Sequence, residues 1–232
     1  MLHTKAAASI FGGVLLTLAV CQSATAAAAP EPCRDVPVEV MGASAAGHRL
    51  TCSAAKAAIG MLYRCGISLR KPLQVHVMPE VRHPLGGAIF GLFDIAQERV
   101  LVTAYANVAA LARDTPYSAL PPLAFYRSVI VHEVVHGILH QNYGRQPNTH
   151  AAYEYPAYAL QVEALPPGVR DEFLQAFDQV AIKTNSVFSD TILAFDPFFF
   201  AARAYQHFKS APDGCAHIRA LLEGTADFVT GP

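Results

Sequence analysis

Charge is scarce in this chain of 232 residues. Asp, Glu, Lys and Arg together make up 15% of it, with a formal net charge of −1. No basic stripe is visible, so the electrostatic footprint of a nucleic-acid binder is missing and no nucleic-acid partner is expected. No apolar run reaches the roughly 20 residues that a spanning helix needs. No CxxC spacing occurs, which argues against cysteine ligation of a metal. No internal repeat is apparent and no propeptide is evident. What the chain does have is apolar residues, 53% of the total. That is too apolar for disorder and ample for a packed core.

The N-terminal residues 1–28 read as a signal peptide. Lys5 supplies the positive start, residues 6–20 form a short apolar run, and Ala24-Thr25-Ala26-Ala27-Ala28 offers small-residue cleavage sites. An uncleaved anchor is the alternative, and the run is short for one. Leu18-Ala19-Val20-Cys21 resembles a lipobox, but Val20 is bulky where a small residue is wanted. The expectation is export to the periplasm or medium, with no membrane attachment after cleavage. The remaining residues 29–232 suit a single domain, with a sheet-containing lobe over 29–118 and a helical lobe over 119–232. Four cysteines survive cleavage, Cys33, Cys52, Cys65 and Cys215, an even count that predicts two disulfides. Residues 48–64 carry a helical apolar stripe, and a helix between Cys52 and Cys65 holds them about 20 Å apart. A disulfide needs Cα atoms within about 7 Å. Cys33 should therefore pair with one of the two, and Cys215 with the other.

Strand signals fill the first half: Val36, Val38 and Val40 alternate, as do Leu73, Val75 and Val77. Residues 88–95 and 99–103 are apolar runs separated by Gln97-Glu98, a hairpin pattern. Residues 81–87, with Pro84 and two glycines, read as a loop. From Tyr105 onward the pattern is helical, with segments near 105–112, 123–141, 149–165, 169–182, 195–208 and 215–222. Phe198-Phe199-Phe200 is expected to be core. The fold class is α+β, with a small, mostly antiparallel N-terminal sheet followed by a helical half.

The chemistry concentrates in His132-Glu133-Val134-Val135-His136. Residues four apart on a helix share a face, so two imidazoles can reach one ion, with Zn–N distances near 2.0–2.1 Å. Glu133 is turned about 100° away, poorly placed as a ligand and well placed beside a water at the metal. A third ligand is needed. The downstream candidates are His140, His150, Glu154 and Glu163. His140 continues the same helix, so with His132 and His136 it would span about 12 Å in a line; it reads as an outer or capping residue. If the next helix returns antiparallel, Glu154 comes almost level with His136, with His150 one turn nearer the connection and Glu163 about 13 Å further on. Glu154 is the favoured third ligand.

His132-Glu133-Val134-Val135-His136 with Glu154 on a following helix resembles the gluzincin branch of the zincin metallopeptidases. The match covers about residues 123–161. The resemblance implies a zincin-like fold with one zinc ion held by His132, His136 and Glu154, and Glu133 as general base. The surroundings of Glu154 depart from the family pattern, with Tyr158 at the place of an outer-shell Asp. The metzincin pattern is absent, since Asn142 stands where its third His would be. The expected function is an exported zinc-dependent hydrolase, most readily a metallopeptidase acting on a peptide or protein. The alternative is a non-catalytic zincin scaffold that binds metal and a peptide or protein partner. Tyr153, Tyr155, Tyr158, His207 and His217 are candidates for stabilising an oxyanion, and sequence leaves the choice among them open, as it leaves the oligomeric state.

Overall fold

The computed structural model describes residues 29–177, 187–226 and 228. The signal-peptide expectation for residues 1–28, and the end of the helix expected over 169–182, lie outside the described residues.

Among the described residues, β1 (Glu31–Pro32), β2 (Val38–Met41), β3 (Leu73–Met78), β6 (Gly91–Asp94) and β7 (Arg99–Thr103) form one sheet in the order β1-β2-β3-β7-β6. The expected antiparallel pairing holds at both edges, β1 with β2 and β6 with β7. The two central pairings are parallel, with Val40 opposite Val75 and His76 opposite Leu101. The cause is the connections. Helix α1 (Ala45–Arg64) lies between β2 and β3, and a crossover of that length returns the chain in the same direction. The step from β3 to β7 likewise passes through residues 79–98. That excursion holds a two-stranded ribbon, β4 (Val81–Arg82) with β5 (Ala88–Ile89). Thr103 fastens the ribbon to the sheet: its Oγ1 donates to the Ile89 carbonyl at 2.7 Å and accepts from the Val81 amide at 3.0 Å.

The helical half begins with α2 (Tyr105–Ala112), followed by α3 (Pro122–His140) and α4 (His150–Glu163). Pro122 at the start of α3 occupies a position that needs no amide donor. Residues 128–139 of α3 are all buried, as expected of a helix that is apolar on every side. It packs between α1, the sheet and α4. The approach to the sheet depends on Gly137, where an added Cβ would lie 2.9 Å from a Leu73 methyl. The end of α3 is tied down by Asn142, which donates to the carbonyls of Ile138 and Ser68. Four further helices complete the described half: α5 (Pro167–Gln175), α6 (Asp190–Phe195), α7 (Pro197–Ser210) and α8 (Gly214–Glu223). Phe199 and Phe200 are buried, as expected. One cluster of buried apolar residues runs from Val38 and Val75 in the sheet through Ile130 and Val134 to Phe200 and Leu221.

Both disulfides form. Cys33 pairs with Cys52, and Cys65 with Cys215, with Cα separations of 5.5 and 4.9 Å. This is one of the two connectivities that the sequence left open.

Candidate metal centre

Three side chains converge from two antiparallel helices. His132 and His136 on α3 bring their Nε2 atoms to 3.0 Å of each other. Glu154 on α4 offers one oxygen to each, Oε2 at 3.2 Å from His132 and Oε1 at 3.4 Å from His136. Ligands about 2.05 Å from a tetrahedral zinc ion are separated by about 3.3 Å. The three contacts lie close to that edge, with the Glu154 carboxylate offering a separate oxygen to each ring, so the donor set is compatible with a single zinc ion. Two neutral nitrogens and a carboxylate are also the donor chemistry that zinc favours.

Two caps fix the start of α4 and with it the height of Glu154. Thr149 Oγ1 accepts from the Ala152 amide at 3.1 Å, and Asp190 on α6 accepts from the Ala151 amide at 2.7 Å. Two tyrosines on either side of Glu154 then orient the imidazoles. Tyr153 stacks face to face on His136, with centroids 4.4 Å apart and planes at 10°. Tyr158 meets His132 edge-on at 4.6 Å. Gln161, one turn beyond Tyr158, lies beside His132 and donates to Ser128 Oγ at 3.4 Å.

Glu133 is buried beside the pair, under the sheet edge. Strand β6 crosses it so closely that a Cβ on Gly91 would lie 2.7 Å from Glu133 Cγ, and the Phe93 amide hydrogen-bonds its carboxylate. Burial pushes the Glu133 carboxyl upward, with the Glu154 charge adding to the rise and the two imidazoles opposing it. Glu154 is the reverse case. Burial would raise it, but the His136 and His132 rings outweigh that and hold it far below the usual carboxylate range. Two neighbouring carboxylates are thereby driven in opposite directions by their surroundings.

The site opens into a cleft of about 1110 Å³. One wall is Phe90 and the β6 residues Leu92 and Phe93, and the other includes Leu193, Ala194 and Pro197. Because β6 ends the sheet order, its outer edge faces the cleft with no strand paired to it among the described residues.

The sequence-derived residues separate cleanly. His132, Glu133, His136 and Glu154 are brought together. His140 is not; its Nε2 lies 3.7 Å from Glu98 and its ring against Phe93. His150 lines the cleft, and Glu163 faces Arg170 and Lys209 instead. Of the oxyanion candidates, Tyr153 and Tyr158 line the cleft. Tyr155 turns away, its hydroxyl 2.6 Å from His207 Nδ1, and His217 packs against both. Sequence reasoning missed Gly91 and the Phe93 amide, the lining contributed by α6, and His83 at the rim.

A sequence profile matches residues 38–230, a span that contains all four site residues. The chain belongs to a family of unknown function (DUF6639). No curated protein and no solved structure matches it. Within this DUF6639 chain, the zincin resemblance therefore stands on the arrangement of His132, Glu133, His136 and Glu154 itself.

Proposed function

We propose that the protein is an exported zinc-dependent hydrolase that cleaves peptide bonds. The observation that carries this reading is the His132–His136–Glu154 donor set, with the buried carboxylate of Glu133 beside it at the floor of an open cleft. His132, His136 and Glu154 would hold one zinc ion. When bound, zinc supplies Lewis acidity that polarises a carbonyl and acidifies water.

The chain's own residues do the rest. Glu133, its carboxyl raised by burial, takes a proton from the attacking water and passes it to the leaving amine. Tyr153 and Tyr158 have hydroxyls pushed well above their ordinary range by burial and by the Glu154 charge. They stay protonated and can donate to a developing oxyanion. Apart from the Phe93 amide, which Glu133 engages, the outer edge of β6 has no strand paired to it among the described residues. It suits an extended peptide, which would add to the sheet through its main chain. Export is supported by the N-terminal segment 1–28 and is consistent with two disulfides.

Binding without cleavage is the second reading. The observation on its side is the pair of tyrosines flanking Glu154, where an acidic outer-shell partner would be usual. Glu133→Gln distinguishes the two. The variant should keep stoichiometric zinc and lose peptide hydrolysis by about 10²–10⁴-fold. Retained hydrolysis would remove Glu133 as the base, and a wild type that never acquires zinc would sink both readings.

A further inference from the structure

Away from the cleft, a second set of potential donor atoms gathers where the N-terminal hairpin meets α1, two of them the sulfurs of the Cys33–Cys52 disulfide. Cys33, His48 and Cys52 each place a donor atom within 4.8 Å of the others. His48 and Cys52 are four apart on α1 and share a face. Cys33 reaches them from the turn between β1 and β2, and a cavity of about 620 Å³ borders all three.

We propose that these residues form a redox-gated site for a thiophilic divalent ion such as zinc, in which the ion replaces the Cys33–Cys52 disulfide as the tie between hairpin and helix. The spacing supports it. His48 Nε2 lies 3.6 Å from Cys52 Sγ. With Zn–S near 2.3 Å and Zn–N near 2.05 Å, a tetrahedral ion separates S and N by about 3.6 Å. The imidazole therefore already stands at ligand distance, and its Nε2 would exchange its contact with the Glu31 carbonyl, at 3.2 Å, for the ion. The two sulfurs must part to about 3.8 Å, a side-chain movement from Cα atoms 5.5 Å apart. Glu31, with Oε2 at 3.9 Å from His48 Nε2, is available for the fourth position. Arg34 and Arg49 border the same cavity and offset the charge of two thiolates. The Cys65–Cys215 pair has no comparable third donor among the described residues.

The chemistry balances. A dithiol gives two electrons and two protons to the Cys33–Cys52 bond and is itself closed to a disulfide; the ion then displaces both thiol protons to the solvent. In any reducing compartment the fold would keep its N-terminal staple as S–metal–S.

The test uses the full chain, reduced without oxygen by a phosphine, which leaves as the oxide with oxygen from water. Cobalt(II) is then added. Thiolate ligation gives an intense sulfur-to-cobalt band in the near ultraviolet, which the His132–His136–Glu154 set, having no sulfur, cannot produce. The band is expected only after reduction, with far-ultraviolet dichroism preserved. It should vanish in Cys33→Ser/Cys52→Ser. His48→Ala keeps both cysteines and guards against misfolding of that double variant. Its cobalt binding should weaken by at least about tenfold, since even outer-shell losses cost that much. No band in the reduced wild type, an unchanged band in either variant, or unfolding on reduction despite cobalt would each overturn the proposal. Because the readout is not hydrolysis, it stands or falls separately from the proposed function.

Discussion

At Gly91 the sheet passes so close to the HExxH helix that a side chain would collide with Glu133. Its missing Cβ would fall 2.7 Å from Glu133 Cγ and 2.9 Å from Oε1. Gly91→Ala must therefore displace the carboxylate or the strand. Overpacking of this kind costs about 1–3 kcal/mol. Zinc content should be unchanged while hydrolysis falls by at least about tenfold, because a misplacement of about 1 Å can cost about 10²-fold. Paired metal analysis and peptide turnover check this. Tyr158→Phe asks a different question at the same scale. It keeps the ring on His132 and removes only the hydroxyl, so zinc affinity should hold. If that hydroxyl donates to the oxyanion, kcat should drop by about 10²-fold; unchanged kcat would leave Tyr153 in that role.

At the scale of elements, the α3–α4 hairpin was the most legible part of the sequence. Helical rise alone placed Glu154 opposite His136, because the connection is short and α4 returns antiparallel along α3, with Tyr153 against His136, Tyr158 against His132 and Gln161 against Ser128. The strands were legible as strands, but their order was not. Alternation at Val36, Val38 and Val40 tells which face is buried, not which neighbour pairs or in what direction, so the parallel centre of the sheet escaped. Helix α6 has six residues, too few to set up a periodic signal. The role of Gly91 had a signal that went unused, since a glycine inside an apolar strand run often marks a close backbone approach. Helices α7 and α8 bring His207 and His217 against Tyr155. Burial lowers both, with the His207 charge adding to the effect on His217. Their folded values thus lie below the unfolded value of about 6.5. Above that value both states are neutral and pH has no effect. As pH falls through it, the unfolded chain takes up protons that the folded chain resists, and stability is lost. Thermal unfolding followed from about pH 7 to about pH 5 should show this loss, and His217→Asn should show less of it.

For the whole molecule, the candidate metal site joins two helices that belong to the same buried cluster as the sheet, so zinc binding there would be linked to folding. At free zinc about 100 times Kd, an ion that binds only the folded state stabilises it by about 2.7 kcal/mol. In a chain of this size that is worth roughly 5–10 °C in Tm. Chelation should lower Tm by that amount in the wild type and leave His136→Ala unmoved. A wild type indifferent to chelator would contradict the linkage.

The Cys65–Cys215 bond joins residues 150 apart in sequence, and His132, His136 and Glu154 all lie between them. The stretch that carries the site is therefore a covalently closed ring. A single backbone cut by any protease between Cys65 and Cys215 opens that ring without separating its halves. Nicked protein should migrate at full mass on a non-reducing gel and as two fragments once reduced.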